Sequence, residues 1–400
     1  YMNEMRKQQF TEAHTWVRAE LDRCVNFWLK NGMDPEFGGV YTCLDRTGKI
    51  YSTDKSVWMQ GRCGWIFAHL CTVYGTKPEW LDAPAAAALI LWSVTALITP
   101  QATDVFYRYK GRSAAAAAPV LLLRGVLRHG EAEYYAVTGD ESRLARARQM
   151  ADLYWDLNHG MEDPVGMGPK IIPETRSGRA FGIPMIYLNV ALILMRCDPE
   201  RKDIYAARAT QCVEEIFKYF VKFDLGCTLE NVAPDGTPRF DFTDGRIVNP
   251  GHDIEGVWFL LEYAKQFGKP ELIEKAQTIF DNAIRAGWDE EYGGLLYFVD
   301  AKGLPPEAYE HDMKLWWPHN EILISSMMLY RDTGNEQDLD WFFKTLDYCQ
   351  KHFSDPAYGE WYGYLRRDGI PTMPSTKGST FKGPFHLPRC LIQLDQMMTE

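Results

Sequence analysis

Three of the nine histidines stand in unusual surroundings. His252 lies in Asn249-Pro-Gly-His-Asp-Ile-Glu255, His319 in Lys314-Leu-Trp-Trp-Pro-His-Asn-Glu321, and His386 in Phe381-Lys-Gly-Pro-Phe-His-Leu-Pro-Arg389. Each follows a Pro- or Gly-containing turn at a predicted helix start. Imidazole is the natural acid or base near neutral pH. Arg62, in Trp58-Met-Gln-Gly-Arg-Cys-Gly64, sits near another such start. Glu255 follows His252 by three residues, on the same helical face, where it could orient the ring and hold its tautomer. Arg62 and Arg389 are suited to hold the oxygen of an enediolate. Trp58, Trp316 and Trp317 are suited to stack on a sugar. The chemistry this set suggests is proton abstraction next to a carbonyl. A single His at a helix start is more often a cap or core residue; three at equivalent positions shift the weight toward function.

Other chemistries find less support. None of the nine cysteines forms a CxxC pair, and the histidine spacings match no zincin, so no metal site is expected. Neither GxGxxG nor GxxxxGK[ST] occurs. The net charge of −11 disfavours nucleic acid and anionic membranes. The opening residues YMNEMRKQQF hold no apolar core, so no signal peptide is expected. Ala83–Thr103 is uncharged but carries Pro84, Pro100 and Gln101, and reads as a buried helix rather than a membrane span. Scattered cysteines, odd in number, read as small buried apolar residues in a reducing cytoplasm.

The elements that must position these residues repeat. Asp34-Pro-Glu-Phe-Gly-Gly39, Asp289-Glu-Glu-Tyr-Gly-Gly294 and Asp355-Pro-Ala-Tyr-Gly-Glu360 resemble one another. Each runs into alternating apolar residues and a Gly turn, a short β-hairpin signal. Weaker copies begin near Asp104, Asp163 and Asp224. Successive starts are separated by 70, 59, 61, 65 and 66 residues, so six units fill the 400-residue chain. Between hairpins the pattern is helical; Val17, Leu21, Cys24, Val25, Trp28 and Leu29 share one face. Predicted helix pairs are 10–32 with 56–74, 79–98 with 115–137, 141–158 with 180–196, 201–222 with 252–267, 270–287 with 317–333, and 337–353 with 385–399. Gly75, Gly139, Gly268 and Gly334 fall where helices should stop. The expected fold is all-α: a closed (α/α)6 barrel with short β-hairpins at one end, a single domain over 1–400. Even-numbered helices line the inside, and their starts converge on one pocket. The alanine runs 85–88 and 114–118 suggest, as a hypothesis, that some letters in 83–130 are misassigned. An intact mass equal to that of the printed sequence would refute it.

At these residues the chain resembles the N-acylglucosamine 2-epimerase family, which includes the animal renin-binding proteins. The resembling segments are FGGVYTCLDRTGKIY, VWMQGR, NPGHDIEGVWFLL, GWDEEYGGLLYF, MKLWWPHNE, DPAYGEWYGYLRRDG and FKGPFHLPRC, in order along nearly the whole chain. The resemblance implies an (α/α)6 barrel that interconverts N-acetylglucosamine and N-acetylmannosamine. It implies that His252 and His386 are the catalytic histidines and that Arg62 and Glu321 are active-site residues. It further implies that Glu255, His319, Asn189 and Arg389 line the pocket. It implies ATP as an allosteric activator, a homodimer, and no catalytic metal or other catalytic cofactor. The departure is at 113–131, where SAAAAAPVLLLRGVLRHGE replaces the family's Arg-rich, aromatic stretch. Alternatives on the same fold are a mannose isomerase or a cellobiose 2-epimerase. A glycosidase would need opposed carboxylates, for which Glu255 and Glu321 are the candidates. A non-catalytic partner-binding protein would tolerate loss of both histidines.

Overall fold

The computed structural model describes residues 4–82, 106–107, 130–160 and 178–399. The alanine runs, the 79–98 helix beyond residue 82, the Asp104 and Asp163 hairpins and the candidate span 83–103 lie outside them. Helices dominate: α1 (Glu4–Asn31), α2 (Val57–Tyr74), α3 (Glu141–Asn158), α4 (Gly182–Cys197), α5 (Lys202–Glu215), α6 (Pro250–Phe267), α7 (Glu271–Gly287), α8 (Trp316–Thr333), α9 (Glu336–His352) and α10 (His386–Thr399). Residues 130–138 are helical too. A π turn, Ile216–Phe220, extends α5. These bounds follow the expected pairs closely. Among the described residues no helix is long and apolar enough to cross a membrane.

Two kinds of helix alternate. α7 and α9 bury one face, through Leu272, Ala276, Ile279, Phe280 and Ala283 in one and Leu339, Phe342, Leu346 and Cys349 in the other. α6 and α8 are buried on all sides through most of their length, from Pro250 to Ala264 and from Trp316 to Leu329. A helix apolar all round needs neighbours all round. α8 packs on α6, α9 and α10; α6 packs on α4 and α7; α10 packs on α1 and α2. Residues 130–138 bridge α2 and α4: buried Glu133 accepts from His69 Nδ1 of α2 at 3.0 Å and binds Arg196 of α4.

Helix ends are written locally. Gly268 and Gly334 take the left-handed conformation after α6 and α8, at φ 61° and 72°, which only glycine adopts without strain. Asn249 caps α6 by accepting from His252 N at 3.2 Å, with Pro250 in the first turn.

The strands differ from the hairpins expected. Most are two-residue pairings between successive repeats: Lys314–Leu315 with Tyr364–Leu365, Ile247–Val248 with Val299–Asp300, and Arg179–Ala180 with Asn231–Val232. Val221–Lys222 with Cys227–Thr228 is the one local pairing of named strands among the described residues. Within the three strong repeats each Asp closes a turn fastened by one bridge: Met33 to Val40, Trp288 to Leu295, and Ser354 to Trp361. Each Asp holds a buried lysine from downstream. Lys314 Nζ reaches Asp289 Oδ2 at 2.8 Å and Gly293 O at 2.9 Å; Lys377 Nζ reaches Asp355 Oδ2 at 3.0 Å and Glu360 O at 2.7 Å; Lys55 binds Asp34 and Gly38 O in the same way. All nine cysteines are free thiols, eight of them buried, consistent with small core residues.

Candidate active site

The starts of α2, α6, α8 and α10 meet, and four expected residues meet with them. His386, the first residue of α10, has its side chain 8% exposed. Its Nδ1 lies 2.8 Å from Glu321 Oε1 and its Nε2 lies 3.2 Å from Arg62 Nη1. This sets the tautomer: Nδ1–H donates to the carboxylate, and Nε2 accepts from the guanidinium. Burial pushes the His386 pKa well below its usual value; Arg62 and Arg389 add to that, and Glu255 opposes it. His386 is therefore neutral at physiological pH.

His252, in the first turn of α6, is half-buried. Its Nδ1 donates to Glu230 Oε1 at 2.8 Å. Burial alone would lower its pKa, but the Glu230 carboxylate outweighs burial and the net shift is upward. The two imidazoles flank Trp317, with ring centroids 5.1 Å (His252) and 5.6 Å (His386) from the indole. Gly251 allows this approach, because a Cβ there would meet the Trp317 ring at 2.8 Å.

Arg389 ties the floor together. Its Nη2 donates to Glu321 Oε1 at 2.6 Å and to Glu255 Oε1 at 2.8 Å. Glu321 Oε2 also accepts from Trp258 Nε1 at 2.7 Å. Glu255, Glu321 and His386 offer three ligand atoms within 4.8 Å of one another, the spacing a metal ion would need. The Arg389 guanidinium already satisfies that charge, with the same Nη2 3.2 Å from His386 Nδ1. Sharing one arginine also unsuits Glu255 and Glu321 as opposed glycosidase carboxylates, which stand roughly 5–9.5 Å apart across the sugar. Arg62 stacks between Trp58 at 4.2 Å and Phe385 at 4.3 Å. Burial lowers its pKa to about 9, so it stays charged at neutral pH.

Three expectations change. Glu255 does not orient His252: it lies one turn deeper along α6 and pairs with Arg389, and Glu230 takes the ring. His319 does not reach the pocket. Its Nδ1–H donates to Leu315 O at 2.6 Å, and its Nε2 accepts from Leu295 N at 2.9 Å. The ring stacks on Tyr348 and packs on Phe353, on the α9 side, and burial lowers its pKa to about 3. Asn189, halfway along α4, lines a cavity at the opposite ends of these helices. Trp316 is core, packed on Tyr364 and touching His386 edge-on at 6.2 Å. Glu230, Trp258 and Phe385 were not singled out. Phe385 adjoins His386, but Glu230 lies in the weak repeat copy DLGCTLENVAPDG, which offered only a faint signal.

The N-acylglucosamine 2-epimerase (GlcNAc 2-epimerase) family profile matches residues 39–386. The chain belongs to this family. An N-acylglucosamine 2-epimerase of Mus musculus is 36% identical over 390 residues, covering 96% of this chain and 91% of that protein. A cellobiose 2-epimerase of Bacteroides fragilis is 22% identical, covering 98% and 99%. The solved cellobiose 2-epimerase of Spirochaeta thermophila aligns with a TM-score of 0.83 at 19% identity, covering 99% of each chain. At that identity the structural likeness speaks for the fold. Family membership makes the protein a carbohydrate epimerase or isomerase.

Proposed function

We propose that this protein interconverts N-acetyl-D-glucosamine and N-acetyl-D-mannosamine by moving the proton at C2 of the open-chain sugar between two histidines. The observation that carries the reading is the pair of imidazoles flanking Trp317. Each is held at Nδ1 by its own carboxylate, so each keeps Nε2 for proton transfer. The aldehyde at C1 acidifies the C2 proton. Neutral His386 takes that proton at Nε2, and the electron pair moves onto the C1 oxygen as an enediolate. Arg62 releases its contact with Nε2 and stabilises the developing negative charge. His252, held toward its protonated form by Glu230, returns a proton to the opposite face of C2. The reverse reaction exchanges these roles. Glu321, Glu255, Arg389 and Trp258 position His386, and Trp317 and Trp58 offer faces for the sugar. His319 and Trp316 are assigned to the scaffold.

Within the same proposal, residues 1–400 form one (α/α)6 barrel with α2, residues 130–138, α4, α6, α8 and α10 as its inner layer. The all-round burial of α6 and α8 and the order of helix neighbours support this. ATP activation, a homodimer and a cytoplasmic location complete it. The first two rest on the family resemblance, and the location on the nine free thiols. The test is proton NMR of N-acetylglucosamine incubated with the protein in D2O, with and without ATP. N-acetylmannosamine carrying deuterium at C2 is the expected product. Absence of both product and exchange would overturn the assignment and direct attention to mannose, glucose and cellobiose.

A further inference from the structure

The helices that start at the histidines end around a second cavity of about 660 Å³. Along α6, His252 and Lys265 are thirteen residues apart, roughly 20 Å at 1.5 Å per residue. Arg196, Lys265 and Arg331 line this cavity near the ends of α4, α6 and α8, and Arg389 forms part of its inner wall. Two acids, Glu262 and Asp332, also line it. Four cations against two acids is an unusual balance in a chain of net charge −11. Burial raises the Glu262 pKa to about 7 against the pull of Arg389, Arg196 and Lys265, so it carries only part of a charge at neutral pH. Arg196 is anchored from behind by Glu133, which is fully buried. Two buried polar atoms on the wall have no partner: Arg389 Nε, a donor on a residue 3% exposed, and Gln393 Oε1, an acceptor. Buried polar atoms are normally paired, so each orphan asks for a complement.

We propose that this cavity is an effector site for a hydroxylated organic anion, a sugar acid or sugar phosphate. The cations and Arg389 Nε would take the acidic group, and Gln393 Oε1 would take a hydroxyl donor. The volume suits a monosaccharide-sized ligand. The link to the histidines is short. Arg389 and Trp258 line this cavity, and both donate to Glu321, which holds His386 Nδ1. An occupant that draws on Arg389 changes how Glu321 and Glu255 are held, and so changes the setting of His386. This coupling rests on the proposed role of His386, whereas binding in the cavity does not.

The test is isothermal titration of the full-length protein with D-glucuronate, glucose 6-phosphate and inorganic phosphate. Binding of glucuronate or glucose 6-phosphate is expected, weakened at least 10-fold by Lys265→Glu and retained in Lys265→Arg. The first two probes distinguish carboxylate from phosphate recognition. Binding of inorganic phosphate alone, no binding, or binding indifferent to Lys265→Glu would overturn the site. For the coupling, the dissociation constant of the bound probe is measured with and without saturating N-acetylglucosamine; a shift of roughly 5-fold or more is expected, and linkage requires an equal effect in return. An unchanged constant, in protein shown to epimerise that sugar, would overturn the effector role. Probe binding sensitive to Lys265→Glu in protein that epimerises no sugar would leave the site standing and refute the catalytic reading instead.

Discussion

His252 has a side chain 30% exposed and one strong partner, the Glu230 carboxylate. His386 is 8% exposed and faces two guanidiniums, Arg62 and Arg389, as well as Glu321. The first is shifted toward imidazolium and the second toward neutral imidazole. One residue type thus serves as acid in one place and base in the other. The difference arises from burial and from the sign of the nearest charges, not from the ring. Two-base proton transfer needs this asymmetry, because two imidazoles in the same protonation state could not start a turnover.

The largest effects should come from removing either ring. His386→Ala and His252→Ala should each lower kcat about 10³-fold, the scale of acid–base catalysis. Each should keep C2 deuterium exchange from only one epimer, and from opposite epimers. Exchange from both in either variant would break the comparison. Arg389→Met should follow. It leaves Glu255 and Glu321 buried without their cation and should destabilise the fold by about 3 kcal/mol, read by denaturant titration. Glu230→Gln should lower kcat about 10–100-fold while leaving stability nearly unchanged. The His252 pKa falls when the carboxylate that raises it is removed, so the pH–rate limb reporting the acid should move to lower pH. An unmoved limb would deny Glu230 its role. His319→Gln should cost about 1–2 kcal/mol by disturbing two backbone partners and leave the pH–rate profile in place.

The smallest effect is in stability against pH. His386 has a depressed folded-state pKa, so the unfolded chain binds its proton first. Its contribution is lost as pH falls through the unfolded value of about 6.5. His252 has a raised folded-state pKa. Its contribution is present below about 6.5 and is lost as pH rises through the folded value. Subtracting the curve of His386→Asn should remove a slope on the acid side, and that of His252→Asn a slope of opposite sign on the alkaline side.

The pairing of helices was legible because their boundaries are local. Asn249-Pro250 opens α6, and Gly268 and Gly334 close α6 and α8. Arg62, His252, Glu321 and His386 could be read as polar residues at helix starts that must converge. His319 looked equivalent but is not. Each residue turns a helix by 100°, so with Trp317 facing the histidines, His319 two positions on faces Tyr348 and Phe353. Glu230 was hidden because its partner lies 22 residues away, across strand pairings too short to leave a pattern. The pairings between repeats were hidden for the same reason: two residues cannot display a period of two.

The turns after Asp34, Asp289 and Asp355 give the protein a built-in clock. Lys55, Lys314 and Lys377 are 3%, 0% and 0% exposed, each with its ammonium locked onto an aspartate and a carbonyl. An amine-acylating reagent will modify the surface lysines at once and reach these three only when their turns come apart. Their labelling therefore timestamps the opening of each repeat, one lysine per turn, in a chain whose rim is fastened by charge rather than by covalent bonds.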